Sequence, residues 1–149
     1  MTIDKTGKWW VGTEPKDTAD YLIAYEAEGY AIDETRVCEC TCGSLVFRFE
    51  AHPDEGCAQR TCSSCGSEHL ICDSAEYWDD ADPKEWSCTE CGSQQCNLGV
   101  GFSLHELEDG RRDVRWISIG QRCTNCGTLS SLVDWKVNYG PSDQLLDQV

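Results

Sequence analysis

The sequence is poor in positive charge. Lys and Arg together number 12 against 27 Asp and Glu, with three His, for a formal net charge of −15 over 149 residues. Neutralising a phosphate backbone takes clustered Lys and Arg. The one basic cluster, Arg111, Arg112 and Arg115, sits among Glu106, Glu108, Asp109 and Asp113. A nucleic-acid partner is therefore disfavoured. Long apolar runs are also missing: none approaches the roughly 18–20 residues needed to span a bilayer, so no membrane association is expected. Met1-Thr2-Ile3-Asp4-Lys5 lacks the basic and apolar regions of an export signal, and the expected compartment is the cytoplasm. Mean hydropathy is low at −0.49, yet six Trp and five Tyr argue against disorder.

Cysteine, by contrast, is abundant: 12 residues, none of them before position 38. Such a density points to a disulfide framework or a structural metal. Three pairs have the form Cys-x-x-Cys-Gly: Cys62/Cys65-Gly66, Cys88/Cys91-Gly92 and Cys123/Cys126-Gly127. A shorter variant ends at Cys42-Gly43, with Cys40 or Cys38 as the partner. A tight turn carrying two thiolates presents both to one ion, and the following Gly lets the backbone curl beneath it. A disulfide framework does not require that Gly.

These turns resemble the zinc-ribbon superfamily, in which two cysteine turns joined by β-hairpins clamp one zinc ion. The resemblance covers residues 38–139 as two consecutive ribbons. It implies a first site of Cys40, Cys42, Cys62 and Cys65, with Cys38 as the alternative to Cys40. It implies a second site of Cys88, Cys91, Cys123 and Cys126. Two structural Zn²⁺ per chain would follow, each closed by four thiolates, with no position left for an activated water. The halves also read as an internal repeat. An offset of 61 residues places Cys65 on Cys126, Gly66 on Gly127, Ile71 on Leu132 and Asp73 on Asp134; an offset of 49 places Gly43 on Gly92. Of the spare cysteines, Cys72 and Cys96 fall on apolar strand positions and read as buried thiols, while Cys38 and Cys57 have no assigned role.

The expected fold is mainly β: an N-terminal helical segment (1–37), a first ribbon (38–80), and a second ribbon with a C-terminal tail (81–149). Asp17 is expected to cap a helix from Thr18 to Glu28, with Gly29 ending it and Tyr21, Leu22 and Tyr25 on one side. Leu45–Glu50, Leu98–His105, Val114–Ile119 and Val133–Tyr139 alternate as strands, and Asp109-Gly110 marks a hairpin turn. The small face Gly99, Gly101 and Ser103 invites close approach of another backbone or an aromatic ring. Asp79–Lys84 reads as a linker.

No catalytic residue is assigned and no activity is expected: His52, His69 and His105 have no partner at a recognised spacing, although His69 could stand beside a ligand thiolate. The expected function is that of a protein-interaction or adaptor module, with Trp9, Trp10, Trp78 and Trp86 as candidate anchors; the acidity reads first as solubility or adaptation to salt and, as the alternative, as suiting a basic partner. The alternatives are a nucleic-acid-associated ribbon, or an enzyme with its site in the acidic and aromatic segment 73–80.

Overall fold

A computed structural model describes residues 3–7, 9–26, 31–52, 56–76, 78, 83–137 and 141–149. The architecture is mainly antiparallel β with one N-terminal helix, as expected. The helix is α1 (Asp17–Tyr25), and the strands are β1 (Glu34–Val37), β2 (Phe47–His52), β3 (Cys57–Cys62), β4 (Glu68–Leu70), β5 (Lys84–Glu85), β6 (Cys96–Glu106), β7 (Arg112–Cys123) and β8 (Leu129–Lys136). They form one sheet of order β4-β3-β2-β6-β7-β8, with β1 added to β6 and β5 added to β2. Among the described residues, no helix is long and apolar enough to cross a membrane.

The repeat is visible in the hydrogen-bond register. The pairs Phe47↔Cys62 and Ala51↔Ala58 of β2/β3 correspond, at the offsets of 49 and 61, to Cys96↔Cys123 and Val100↔Ile119 of β6/β7. Gln59↔Leu70 and Thr61↔Glu68 of β3/β4 correspond likewise to Gly120↔Ser131 and Arg122↔Leu129 of β7/β8. The two three-stranded units meet at one register pair, Phe47↔Cys96. The second is the longer: its hairpin closes over Asp109-Gly110, with Gly110 at φ +86° and the Leu107 N–H donating to Arg111 O at 2.7 Å.

Every residue of β6 from Cys96 to Leu104 is buried, because both of its faces are covered. Leu98, Val100 and Phe102 share one face with Ile117, Ile119, Val133 and Trp135 of the neighbouring strands, all within the core. The first unit closes over this face, and a Cβ at Gly56 would lie 2.6 Å from the Trp135 Cβ. Trp135 Nε1 also donates to Asp73 Oδ1 at 3.0 Å. The opposite face is small, and α1 lies on it. A Cβ at Gly120 would stand 3.1 Å from Leu22 Cγ, and one at Gly101 would stand 2.9 Å from Ile32 Cδ1. The close approach foreseen at Gly99 and Gly101 comes from Thr18 of the helix and from Ile32, where an aromatic ring or another backbone was expected. Leu22 is fully buried there, a contribution of about 2 kcal/mol.

The helix differs from expectation in three ways. It begins at Asp17, whose carboxylate reaches backwards to accept from the N–H groups of Thr13 (2.8 Å) and Glu14 (3.0 Å). Thus it fixes the turn that precedes the helix. The buried face is Thr18, Ala19 and Leu22, with Tyr25 58% exposed, because Thr18 and Leu22 are the helix residues that stand over Gly99 and Gly120 of the sheet. The helix ends at Tyr25, and the Glu26 N–H closes the last turn onto Leu22 O at 2.9 Å. Glu28 and Gly29 lie outside the described residues, as do Tyr139 and Asp79–Asp82.

Strand bounds also move. The first strand begins at Phe47 rather than Leu45, and the return strand of the long hairpin extends to Arg112 and Cys123. Lys84, read as linker, lies in β5, where Ala51↔Lys84 and Glu50↔Glu85 pair and Arg48 ion-pairs with Glu85. β1 lies in the segment read as only helical, and its four residues pair from Glu34↔Phe102 to Val37↔Gly99.

Candidate metal centres

Each unit carries two tight turns at one end of its strands. In the first unit the Gly43 N–H donates to Cys40 O (2.8 Å) and the Cys40 N–H to Ser44 O (2.9 Å). Across from it, the Gly66 N–H donates to Cys62 O and the Cys62 N–H to Ser67 O, both at 2.9 Å. The second unit repeats this wiring: Gly92 to Cys88 (2.9 Å), Cys88 to Ser93 (2.8 Å), Gly127 to Cys123 (2.8 Å) and Cys123 to Thr128 (3.0 Å). The two turns of each unit are tied together by Ser63 N–H to Val46 O (3.0 Å) and Thr124 N–H to Gln95 O (3.2 Å).

The Gly of each turn has positive φ: +92° at Gly43, +75° at Gly66, +79° at Gly92 and +82° at Gly127. A Cβ at Gly43, Gly66 or Gly92 would meet nothing within 4 Å. Glycine is therefore called for by backbone conformation at those turns, with no steric reason besides.

The turns converge their thiols. Cys40, Cys42, Cys62 and Cys65 form one group and Cys88, Cys91, Cys123 and Cys126 another, with all sulfurs of a group within 4.8 Å of one another. The nearest sulfur pairs are Cys40–Cys65 at 3.5 Å, Cys42–Cys62 at 3.6 Å, Cys88–Cys126 at 3.5 Å and Cys91–Cys123 at 3.5 Å. A disulfide needs about 2.05 Å, so these are not bonded cystines. Four sulfurs around a tetrahedral ion at about 2.3 Å would stand about 3.8 Å apart. The donor set and its spacing fit a metal ion, and the eight cysteines singled out by their spacing are the eight brought together.

Three of the thiols, Cys40, Cys62 and Cys91, are favoured as thiolates by nearby hydrogen-bond donors. Backbone N–H groups of Cys65 and Ser64 pull Cys62 down to about 6, and the backbone N–H of Cys42 lowers Cys40. A hydrogen bond from the Asn125 side chain and the backbone N–H of Ser93 bring Cys91 down to about 6. Their nearest partners move the other way. Despite the Ser44 amide, Cys42 is pushed up to about 12 by sulfur neighbours Cys40 and Cys62. Cys65 rises likewise against the pull of the Ser67 amide, and desolvation raises Cys123 to about 11. In each of the pairs Cys40–Cys65, Cys42–Cys62 and Cys91–Cys123, one thiol is thus lowered and the other raised. A bound cation would favour the thiolate form of every sulfur in a group. The Glu90 N–H, 3.4 Å from Cys88 Sγ, and the Thr128 hydroxyl, 3.1 Å from Cys126 Sγ, offer further donors to the sulfurs.

The remaining cysteines lie in the core. Cys38 is fully buried outside the first group and donates its N–H to Leu98 O at 2.9 Å; burial pushes its thiol up to about 12. The choice left open between Cys38 and Cys40 therefore falls to Cys40. Cys57 is fully buried at the start of β3, Cys96 at the join of the two units, and Cys72 is 8% exposed. Desolvation raises the thiols of Cys72 and Cys96 as well.

Other candidates make contacts within the fold. His69 does not approach a sulfur of the first group as a hydrogen-bonding partner: it lies across from Arg60 and its Nε2 is 3.0 Å from Gln148 O. In the segment 73–80, Asp73 holds Trp135, and the buried Ser74 hydroxyl accepts from the Ala58 N–H (2.8 Å) while donating to Ile71 O (2.5 Å). Trp86 is 7% exposed and packs in the core, which removes it as a surface anchor. Trp78 is half-buried. No protein-family model, curated protein or solved structure matches this chain.

Proposed function

We propose that both four-cysteine groups hold structural Zn²⁺ and that the protein is a cytoplasmic binding module, an adaptor for a basic protein partner, without catalytic activity. The observation that carries the structural role of the metal is the donor set. Four protein sulfurs supply all the corners of each tetrahedron, so an ion there braces two turns and keeps no vertex for water or substrate. Small β units bury too little surface to be secure without such a staple, and each ion would contribute on the order of 10 kcal/mol.

Charge supports the choice of partner. Each site adds four thiolates and one divalent cation, taking the formal −15 to about −19. Many of the scarce basic side chains are already engaged within the protein. Arg36 and Arg112 pair with Glu34, Arg48 with Glu85, Arg111 with Asp113, and Lys16 with Glu14. Arg122 donates to Gly12 O and Asn97 Oδ1, both at 2.9 Å. The outward field is that of an acid, which speeds encounter with a basic surface and repels a phosphate backbone.

Affinity purification after in-cell crosslinking, followed by reconstitution with the purified partner, tests this reading. The expected result is a saturable complex with a basic protein that weakens as salt rises. Retention on duplex or single-stranded nucleic acid at physiological salt, with no protein partner recovered, would contradict it.

A further inference from the structure

Four aromatic side chains outside the metal centres gather at one place. Trp9, Trp10, Tyr21 and Tyr25, with Ala24 and Leu129, line a pocket of about 270 Å³. The chain holds it in position from two sides. Asp4 and Val11 pair across a tight N-terminal loop through backbone bonds of 2.7 and 2.9 Å, and the Leu129 N–H donates to Trp10 O at 2.8 Å. This fixes Trp10 beside the start of β8. Tyr21 and Tyr25, one helical turn apart on α1, stack with centroids 5.6 Å apart and planes 25° apart. Trp10 meets Tyr21 edge-on at 5.7 Å and 83°, so the π surfaces are roughly perpendicular. Trp9 and Tyr25 are 42% and 58% exposed and stand where an incoming group would touch them.

An aromatic face carries negative quadrupolar potential and attracts a cation placed over it. Trp10 already does so within the protein, with Lys5 Nζ 4.4 Å from its ring centroid. The described lining has no carboxylate. A primary ammonium entering it would find few acceptors for its three N–H donors. A quaternary ammonium has no N–H to satisfy and is more weakly hydrated. The overall charge of −15 favours a cation on a basic polypeptide over an isolated small one, because flanking Lys and Arg add to the attraction.

We propose that this aromatic pocket receives a quaternary ammonium group, carried on a trimethylated lysine of the basic partner. The inference rests on the reading of the protein as a binder of a basic partner and names where on the molecule the contact is made.

The test is a titration followed by tryptophan fluorescence. One lysine-rich peptide is prepared in three forms: trimethylated at one lysine, unmodified, and with a neutral tert-butyl isostere at that position. Tetramethylammonium is the small-molecule comparison. The trimethylated peptide should bind about 10-fold more tightly than the isostere and the unmodified form. Trp9→Ala and Tyr25→Ala should each remove most of that preference, leaving metal content and circular dichroism unchanged. Equal binding of trimethylated peptide and isostere, or a preference undiminished in both variants, would overturn the pocket while leaving the basic-partner reading intact. Tetramethylammonium binding as tightly as the peptide would overturn the polypeptide source. Binding of none of the peptides would count against the basic-partner reading itself. In that case, unchanged indole NMR signals of Trp9 and Trp10 under tetramethylammonium would refute the pocket separately.

Discussion

Gly99→Ala probes the contact that seats the helix on the sheet. A Cβ there would overlap Thr18 Oγ1 and stand 2.8 Å from Thr18 Cβ, whereas the next nearest atom, Ala19 N, lies at an ordinary 3.4 Å. Thr18 has little freedom to yield, because its hydroxyl donates to Pro15 O at 2.8 Å and the residue is fully buried. One extra carbon in a packed site of this kind costs about 1–3 kcal/mol. In a chain of this length about 1 kcal/mol corresponds to about 2–4 °C in Tm, so the midpoint should fall by roughly 2–12 °C. The assay is thermal unfolding by circular dichroism, with the metal-to-protein ratio measured alongside. That ratio should stay constant, because neither Gly99 nor Thr18 contributes to the cysteine turns. The same substitution in a Thr18→Gly background removes both offending atoms. There Gly99→Ala should be neutral or should stabilise by up to about 1 kcal/mol, since a strand interior prefers Ala to Gly. An equal cost in both backgrounds, or no cost in the parent, would refute the seating of α1 on β6.

Two other substitutions separate ligand from core. Cys38→Ser should lower stability by about 1–3 kcal/mol, through burial of a hydroxyl, and leave metal content unchanged, whereas Cys40→Ser should weaken or empty one site; metal analysis with thermal unfolding of each variant decides. Trp135→Phe removes the donor to Asp73 Oδ1 from a buried pair and should cost about 1–3 kcal/mol in chemical denaturation; a change within error would show that the bond does not hold the two units together.

The centres were legible in the sequence because their signal is local. A turn that presents two thiolates needs its cysteines two or three positions apart and a residue tolerant of positive φ after them, and Gly66, Gly92 and Gly127 mark it each time. The offsets of 49 and 61 carried over into the strand register because equivalent turns set equivalent hairpins. Three things were not legible. The joining of both units in one sheet rests on a single pair, Phe47↔Cys96, and alternation along a strand says nothing about its neighbour. β1 shows no alternation, all four residues being half-buried, because its position comes from backbone bonds to β6. The inward face of α1 was misread at Tyr25 because its orientation is set by Gly99 and Gly120 on the strands beneath, which the helix's own periodicity does not contain.

The central claim is that eight cysteines build two metal centres that hold the fold. Elemental analysis of freshly purified protein, paired with native mass spectrometry, addresses it most directly. The account predicts two zinc ions per chain, no disulfides, and loss of cooperative unfolding when a strong chelator strips the metal. A chain with fewer than two tightly held metal ions, or one that keeps its cooperative transition after both are removed, would contradict it.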